Sequence, residues 1–419
     1  MVAMKNLQST AGCSGQGQIV PMWSRSFSQV VRDGSEGLLP AWLSTASVVI
    51  YIVSKVLFGS TTLANSYPWL ATSGLPALLE CVALALACIG LIVRCSKLSF
   101  AQVLICCLAV SLSSISAVNT GDYLLLQDFI IIAAIPWDNI ERLLKIYGLI
   151  VLSIIIATMI FAVFGCLYNK DVIPNERLVY AFGFSHPNTL GGILFSVTSA
   201  LSLAYWKSKY WWIPNVLALL SAIFSFVALS SRTAAILCVL FSVLSILLHK
   251  LPMNNMSTTR RIMRVVIIAI PVALLFLMSF CSIWYDSSNP FFAFMDRITS
   301  YRPYYSHEYY TNVGSISLFG RPIEIPPHYH NGVPFQSLDS GYSYMIFVYG
   351  LGALVALLIT YLYAVPMIVK SEYCLGFSLL IVMSSIYFLI ERFPLYIAMS
   401  PAILLLSYAF EPRGVVLDE

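Results

Sequence analysis

The chain has 419 residues, of which 59% are apolar and only 10% are charged. Soluble domains carry about 25% charged residues, so this composition excludes an ordinary water-soluble protein and makes lipid the solvent for most of the chain. The formal net charge of +4 is the small difference between 23 Lys and Arg and 19 Asp and Glu, and it does not indicate a nucleic-acid partner.

The first forty residues are polar and precede a series of apolar runs. They contain no apolar core of the kind that a signal peptide needs, so we expect a cytoplasmic tail. A helix needs about 20 apolar residues to cross the hydrocarbon core. Runs that approach this length occur at 41–58, 73–93, 98–117, 121–136, 146–166, 189–206, 211–230, 233–248, 265–284, 342–364, 373–390 and 394–410. The run at 121–136 is the weakest, because it is short and contains Asp122 and Asp128.

These runs predict an all-α polytopic membrane protein with about 12 transmembrane helices. In this prediction 1–40 is an N-terminal tail, 41–284 holds helices 1–9, 285–340 is one large loop, 341–411 holds helices 10–12, and 412–419 is a C-terminal tail. The loop is rich in Tyr, Phe and Pro, whereas disordered segments are poor in aromatic residues. We therefore expect the loop to be folded, although an aromatic belt at the membrane interface is the alternative explanation for many of its rings.

Lys and Arg are more frequent in the segments that an N-in/C-in topology places in the cytoplasm. The positive-inside rule therefore predicts cytoplasmic termini and an extracytoplasmic large loop. Most of the remaining, outer cations are Arg, which binds phosphate through two parallel hydrogen bonds. They predict an extracytoplasmic anion site, unless they reach to lipid headgroups or pair with outer carboxylates. This outer set is Lys170, Arg177, Arg232, Arg297, Arg302, Arg321 and Arg392.

The outer segment before the run at 189–206 contains His186. Pro187 disfavours a helical conformation at His186, and we expect Asn188 or Thr189 to cap the helix that follows. His186 would then lie beside a helix N-terminus, where free N–H groups and the helix dipole favour an anion. The alternative is a plain helix cap beside a histidine that has no role.

Other ionisable residues lie at or within the apolar runs. Arg232 begins the run at 233–248, and an ionisable residue at membrane depth is a functional candidate, unless it extends to the outer headgroups. Glu391 and Arg392 stand at the turn between the last two runs, where a mutual ion pair is the alternative. Glu80 and Asp128 raise the question of a proton relay, but the sequence shows no partner for either.

The sequence predicts no metal and no cofactor. His328 and His330 are spaced like metal ligands, but zinc sites need three or four ligands at recognisable spacing. No Walker A, GxGxxG, GxSxG or HExxH motif occurs, and no inner segment is large enough for an ATPase domain. Most cysteines lie in apolar runs, where they act as small apolar residues.

Three local patterns resemble one family. Residues 183–191 (GFSHPNTLG) are close to the pattern GF-x-HPN-x-x-G, and residues 231–233 (SRT) begin a helix on the outer side. Residues 338–342 (LDSGY) lead to 349–352 (YGLG), much as a loop-end Asp-Asn-x-Tyr or His-Asn leads to Gly-x-x-Gly at a helix start. With its span number and its late large loop, the chain resembles the bacterial O-antigen and capsular polysaccharide polymerases (Wzy type), which share a family with the O-antigen ligases.

The chain departs from this family at two places. Met295-Asp296-Arg297 stands where the family commonly has Ser-Gly-Arg followed by Trp, and Ser340 stands in place of Asn. The ligase branch tends to have His where this chain has Asp339. The resemblance therefore favours a polymerase.

The resemblance implies a GT-C-like glycosyltransferase in the bacterial cytoplasmic (inner) membrane, with its active site facing the periplasm or the exterior. It would polymerise polyprenyl-pyrophosphate-linked oligosaccharide repeat units, which serve as donor and acceptor, into O-antigen, capsule or exopolysaccharide. The reaction would need no metal and no other cofactor. A chain-length regulator and a flippase are implied as partners, besides the lipid bilayer.

The same resemblance suggests roles for the outer residues. Arg232 and Arg297 are the first candidates to stabilise the pyrophosphate leaving group. Asp339 is the first candidate for the general base and His186 the second, although His186 equally suits the positioning of a phosphate. Direct displacement would invert the anomeric carbon, and a covalent intermediate is the open alternative. The further predicted contacts to pyrophosphate or glycan are Arg177, Asn188, Arg302, Arg321, Tyr342, Glu391 and Arg392.

Three other functions remain open at this stage. An O-antigen ligase would transfer the glycan to lipid A core. A flippase or transporter of lipid-linked oligosaccharide would hold its substrate near the bilayer midplane between repeated halves, and the sequence shows no clear internal repeat. A metal-dependent hydrolase on the outer face is the third.

Overall fold

The computed structural model describes residues 27–136, 139–169, 171–172, 179–250, 256–322, 328–330, 333–335 and 338–411. The chain divides into two compact units, Met1–Leu39 and Pro40–Glu419. Of the first unit, the structure describes residues 27–39, which are helical. The second unit contains the cavities and all the side-chain contacts.

The described chain is almost entirely helical. Its α-helices are α1 (Phe27–Ser54), α2 (Leu63–Ser66), α3 (Pro68–Thr72), α4 (Leu75–Cys95), α5 (Phe100–Thr120), α6 (Leu124–Ala134), α7 (Ile140–Val163), α8 (Pro187–Ala204), α9 (Trp212–Val227), α10 (Arg232–Lys250), α11 (Met256–Ile283), α12 (Pro290–Thr299), α13 (Arg302–Val313), α14 (Gly341–Tyr344), α15 (Gly350–Lys370) and α16 (Cys374–Ile390). π-Helical turns occur at Lys55–Ser60 and Met345–Tyr349, and 3₁₀ helices at Phe393–Leu395 and Pro401–Phe410. Two small antiparallel hairpins pair β1 (Asp171–Val172) with β2 (Val179–Tyr180) and β3 (His328–His330) with β4 (Val333–Phe335).

This helix content agrees with the predicted all-α membrane class. Seven helices in the described part of the chain are long and apolar enough to cross a membrane: Ala41–Ser60, Leu75–Cys95, Phe100–Thr120, Ile140–Val163, Arg232–Lys250, Met256–Ile283 and Gly341–Lys370. The other predicted spans correspond to shorter helices. Helix α6, for example, extends only about 17 Å, against about 30 Å of hydrocarbon. The total of 12 spans and the N-in/C-in orientation therefore stay predictions.

The last apolar run, 394–410, is not the continuous helix that the sequence predicts. It forms two 3₁₀ segments, Phe393–Leu395 and Pro401–Phe410, with extended backbone between them at Tyr396 and Ser400. Pro394 and Pro401 explain the break, because proline lacks the N–H that a helix interior requires. The freed N–H of Ile397 donates instead to Asp128 Oδ2, at 3.1 Å.

Helix α8 lies at the centre of the helical core. Every residue of α8 except Asn188 is buried, and α8 packs against α7, α9 and α10. A Cβ atom on Gly191 would lie 2.9 Å from the Cβ of Ala234 in α10, and one on Gly192 would collide with the hydroxyl of Tyr387 in α16. Glycine at these two positions therefore allows the neighbouring helices to approach closely.

Buried hydrogen bonds from Arg94 join three chain segments at one end of the bundle. Arg94 lies in the last turn of α4 and is only 5% exposed. Its Nη1 donates to the carbonyls of Ala133 (3.2 Å) and Ile135 (2.6 Å), and its Nη2 donates to that of Phe410 (3.0 Å). The planar guanidinium reaches three acceptors at once, which a single ammonium group cannot do from the same position.

We therefore expect Arg94→Lys to destabilise the protein. A buried carbonyl that loses its donor costs about 1–3 kcal/mol, so the free energy of unfolding should fall by at least this amount. Thermal unfolding of the purified protein in detergent measures the change. Arg142→Lys is the matched control, because Arg142 is exposed and lies over the Trp42 ring, where a lysine keeps the cation. Equal melting temperatures for the two variants would contradict the role given to Arg94.

Candidate functional site

A cavity of about 1130 Å³ opens at the end of α4 that is distant from Arg94. Ends of α1, α4, α5, α8, α13 and α16 meet there, together with the segment before α14 and the broken chain after α16. The charged and amide side chains that line it are Lys55, Glu80, Asp122, Gln127, His186, Asn188, Arg302, Asp339, Glu391 and Arg392. Its aromatic lining is Tyr51, Phe58, Tyr123, Tyr344, Phe393 and Tyr396.

Two paired loop segments hold His186 at this cavity. The N–H of Thr62 donates to the carbonyl of Gly183, and the N–H of Ser185 donates to that of Ser60, both at 2.8 Å. Gly183 has a φ of 82°, a conformation that favours glycine because other residues place a Cβ too close to the backbone. The glycine of the 183–191 pattern thus turns the chain so that His186 enters the cavity lining.

The cap of α8 is His186 itself, and neither Asn188 nor Thr189 has the predicted capping role. His186 has extended backbone, and its Nδ1 accepts the backbone N–H of Asn188 at 3.1 Å. An Nδ1 that accepts a hydrogen bond carries no proton, so the proton of the neutral ring is on Nε2. In this arrangement His186 is a hydrogen-bond donor and does not suit the role of general base.

Arg302 joins two acidic residues from separate parts of the chain. Its side chain is nearly buried and begins α13 in the large loop. Nε donates to the carbonyl of Ile390 (2.9 Å), while Nη2 lies 2.9 Å from Asp339 Oδ2 and 3.3 Å from Glu391 Oε1. The amide of Asn188 adds a long hydrogen bond to the same Glu391 oxygen, at 3.4 Å. The predicted residues Asn188, Arg302, Asp339 and Glu391 therefore form one connected group, here called the Arg302 group.

Burial shifts the titration of Glu391 within the Arg302 group. Glu391 is 7% exposed. Burial raises the pKa of Glu391 above its ordinary value, and the charge of Arg302 opposes this rise without cancelling it. A carboxyl group in this setting gives up its proton closer to neutral pH than an exposed glutamate does.

Arg392 also lines the cavity, but its surroundings differ. Its guanidinium lies 5.0 Å from the centre of the Tyr344 ring, and it forms no ion pair with any residue that the structure describes. The Tyr344 hydroxyl donates to Asp122 Oδ2 at 3.0 Å, which fixes the ring beneath the guanidinium. Arg392 is thus held in place by an aromatic face and keeps its hydrogen-bond donors available to a ligand.

A second polar group in the cavity comes from α1, α4 and α6. The π-turn after α1 begins at Lys55, whose Nζ lies 2.7 Å from Glu80 Oε2. Gln127 Nε2 donates to the same oxygen at 3.1 Å, and the Tyr51 hydroxyl donates to Gln127 Oε1 at 3.2 Å. Sequence reasoning noted Glu80 as an ionisable residue without a partner. Its partners are distant in sequence, and only Lys55, as another charge within an apolar run, offered a signal.

Several residues predicted for the site do not line the cavity. Arg232 and Arg297, the first candidates to bind pyrophosphate, are both exposed at other positions. Arg321 donates hydrogen bonds within its own loop. Tyr342 lines a separate apolar cavity of about 130 Å³ between α11, α15 and α16. Arg177 lies outside the described residues.

Arg297 is exposed because of the way α12 packs within the large loop. The described part of the loop is folded, as expected, and contains α12 and α13. The buried residues of α12 are Phe292, Met295, Asp296 and Thr299. Asp296 Oδ2 accepts the Tyr285 hydroxyl at 2.5 Å, and its Oδ1 accepts the Tyr304 N–H at 3.3 Å. Burial raises the pKa of Asp296, and these hydrogen bonds oppose the shift. The next residue along the helix, Arg297, consequently points away from this packed face.

The described side chains contain no cluster of three or more His, Cys, Asp or Glu that could hold a metal ion. His328 and His330 belong to strand β3. Their side chains lie outside the part of the chain that the structure describes, so the metal pair considered from sequence stays without a structural assignment.

Glu391 should make the stability of the protein depend on pH. Because its folded-state pKa is raised, the folded state keeps a proton that the unfolded state releases. The resulting stabilisation is complete below the ordinary pKa of 4.5 and is lost as the pH rises through the folded-state pKa. Glu391→Gln removes the titration and keeps an oxygen for Arg302. Its melting temperature relative to wild type should therefore rise between about pH 5 and about pH 8.

Glu372→Gln is the control for this measurement, because Glu372 is exposed and pairs with Lys207. Its melting temperature relative to wild type should not change with pH. A Glu391→Gln variant that behaves like this control would show that the carboxyl group of Glu391 titrates normally.

No protein-family model, curated protein or solved structure matches the chain. The function proposed below therefore depends on the residues of the cavity and on the resemblance of the local sequence patterns.

Proposed function

We propose that the chain is a membrane glycosyltransferase that polymerises polyprenyl-pyrophosphate-linked oligosaccharide repeat units on the outer face of a bacterial cytoplasmic membrane. The observation that carries this proposal is the arrangement of arginines in the large cavity. Arg392 is available to an anion, while Arg302 beside it in the lining is held by Asp339 and Glu391. Glycosyl transfer from a pyrophosphate needs both an anion-binding cation and a carboxylate that accepts a proton.

The size and composition of the cavity support this function. Small-molecule sites have volumes of about 300–1,000 Å³, and about 1130 Å³ has room for a pyrophosphate and more than one sugar ring. His186 and Asn188 from the 183–191 pattern and Asp339 from the loop-end pattern all line it. Patterns that are separated by some 150 residues in sequence therefore meet at one place, as a shared active site requires.

Arg392 takes the role of anion clamp that the sequence assigned to Arg232 and Arg297. A guanidinium binds phosphate oxygens through two parallel hydrogen bonds, and its charge stabilises the negative charge that develops on the leaving group. The Nε2–H of His186 is a second donor in the same cavity. Pyrophosphate is already a good leaving group, so these donors suffice without a nucleotide.

Asp339 is the proposed general base, and Arg302 positions it. The Asp339 side chain is 24% exposed, whereas that of Glu391 is 9% exposed. An acceptor hydroxyl therefore reaches Asp339 more easily. In the transfer step the acceptor oxygen bonds to the anomeric carbon, and the bond from that carbon to pyrophosphate breaks. The bonding electrons leave with the pyrophosphate, and the hydroxyl proton moves to Asp339.

Arginine substitutions test the proposal with purified protein and lipid-linked repeat units. Arg392→Ala should lower the rate of glycan lengthening by about 10²–10³-fold, the usual effect of removing one charge-stabilising donor. Arg232→Ala and Arg297→Ala are matched controls, because both arginines are exposed and neither lines the cavity. Both variants should keep wild-type rates. Normal lengthening by Arg392→Ala would contradict the proposal.

The same assay separates the other functions. Release of the glycan from its lipid that stops on chelation would indicate a metal-dependent hydrolase, and transfer only to lipid A core would indicate a ligase. A flippase would move the lipid across the bilayer without a change in glycan length. One specific observation favours the flippase: the ionisable residues Lys55, Glu80 and Asp128 lie within or beside apolar helices.

A substitution of His186 separates its role as a helix cap from its role as a donor. Asparagine is a strong N-cap residue, so His186→Asn should keep the melting temperature of the wild type. It lacks the Nε2–H, so the rate of glycan lengthening should fall by about 10²-fold. His186→Ala should lower both quantities. An asparagine variant with the wild-type rate would limit His186 to capping.

A further inference from the structure

The transfer chemistry proposed above leaves one polar group of the cavity without a function. Lys55, Glu80, Gln127 and Tyr51 form a continuous chain of contacts across α1, α4 and α6. Placing charged groups among apolar helices is costly, and such residues usually have a function. The Lys55 and Glu80 side chains are 19% and 21% exposed, and all four residues line the cavity.

The hydrogen bonds inside this group leave specific atoms available. Glu80 Oε2 receives both Lys55 and Gln127, whereas Glu80 Oε1 receives no hydrogen bond from the residues that the structure describes. The Lys55 ammonium has three donors and the Gln127 amide has two, and each uses one on Glu80. One carboxylate acceptor and several N–H donors therefore lie next to one another in the cavity lining.

This combination matches vicinal hydroxyl groups. A hydroxyl donates one hydrogen bond and accepts others, so one hydroxyl bonds to Glu80 Oε1 while its neighbour accepts from Lys55 or Gln127. An anionic ligand is disfavoured for two reasons. The carboxylate of Glu80 already compensates the positive charge of Lys55, and its own negative charge would repel an anion. The rings of Tyr51 and Phe58 in the same lining offer apolar faces to the C–H side of a sugar ring.

The part of the cavity wall formed by α6 is also held in place before any ligand binds. Asp128, which is 1% exposed and adjacent to Gln127 in α6, accepts the backbone N–H of Ile397 at 3.1 Å. This bond ties α6 to the broken chain after α16. A site whose groups are already held in place spends less conformational entropy on binding.

We propose that Lys55, Glu80 and Gln127 form a subsite for a neutral sugar ring of the glycan, separate from the residues that bind pyrophosphate. The subsite selects the glycan by its hydroxyl groups and takes no part in bond breaking. As a subsite of a polymerase, it rests on the proposed function. As a carbohydrate-binding site, it is measurable without any transfer reaction.

Binding by the full-length protein in detergent tests the subsite with two kinds of probe. One is a panel of soluble neutral oligosaccharides without lipid or phosphate, and the other is inorganic pyrophosphate. Wild type should bind at least one oligosaccharide. Glu80→Gln and Gln127→Leu should weaken this binding by about tenfold or more, as the loss of a net hydrogen bond of about 1.4 kcal/mol predicts. Neither variant should weaken pyrophosphate binding.

Arg392→Ala should give the opposite result, with weaker pyrophosphate binding and unchanged oligosaccharide binding. Asn65→Leu is the matched control, because Asn65 is exposed and does not line the cavity; it should change neither. The melting temperature of each variant shows that it is folded. If Gln127→Leu does not fold, Gln127→Asn withdraws the amide by one methylene and gives the same test.

Three results would contradict the proposed subsite. Wild type binds no neutral oligosaccharide, or the Glu80 and Gln127 variants bind oligosaccharide as wild type does. The third is that these variants bind pyrophosphate more weakly and oligosaccharide normally. Failure of the proposed function has a different signature. In that case wild type does not lengthen lipid-linked glycan, while the selective loss of oligosaccharide binding persists. If wild type lengthens the glycan normally and the variants bind oligosaccharide as wild type does, the subsite proposal is wrong and the proposed polymerase function is kept.

Discussion

The buried guanidinium of Arg302 is the contact on which the cavity depends. It carries the positive charge that allows the partly exposed Asp339 and the buried Glu391 to lie close together. A buried carboxylate without such a partner would cost several kcal/mol. Its bond to the carbonyl of Ile390 also ties the large loop to the last turn of α16. One side chain therefore joins the loop to the helical bundle and holds two acidic groups at their boundary.

The surroundings of each cation separate its structural role from a ligand-binding role. Arg302 and Lys55 are engaged by carboxylates, and an anionic ligand would have to compete with these partners. Arg392 lies over the ring of Tyr344, a neutral partner that holds the guanidinium without neutralising its charge. The partners of each cation, more than the number of arginines, therefore show which guanidinium has donors left for an anionic ligand.

Much of the helix layout was predictable because an apolar run long enough to be a helix in lipid is a local property. The exceptions have local causes as well, such as the two prolines that divide the last run. Part of the site was also predictable. His186 and Asp339, chosen from short patterns, line the cavity, whereas Arg232 and Arg297 do not. Charge counting predicts the side of the membrane on which a residue lies. It does not predict the direction in which the side chain points from the helix axis or the residues that it contacts.

The sequence alone determines the all-α membrane class, the approximate positions of the helices and the set of arginines outside the cytoplasmic segments of the predicted topology. Only the tertiary structure decides which of these charges meet. Asn188 contacts Glu391, and Tyr51 contacts Gln127, across sequence separations that no short pattern spans. The physical reason is that hydropathy acts over one helix length, whereas ion pairs and hydrogen bonds depend on how separate helices pack.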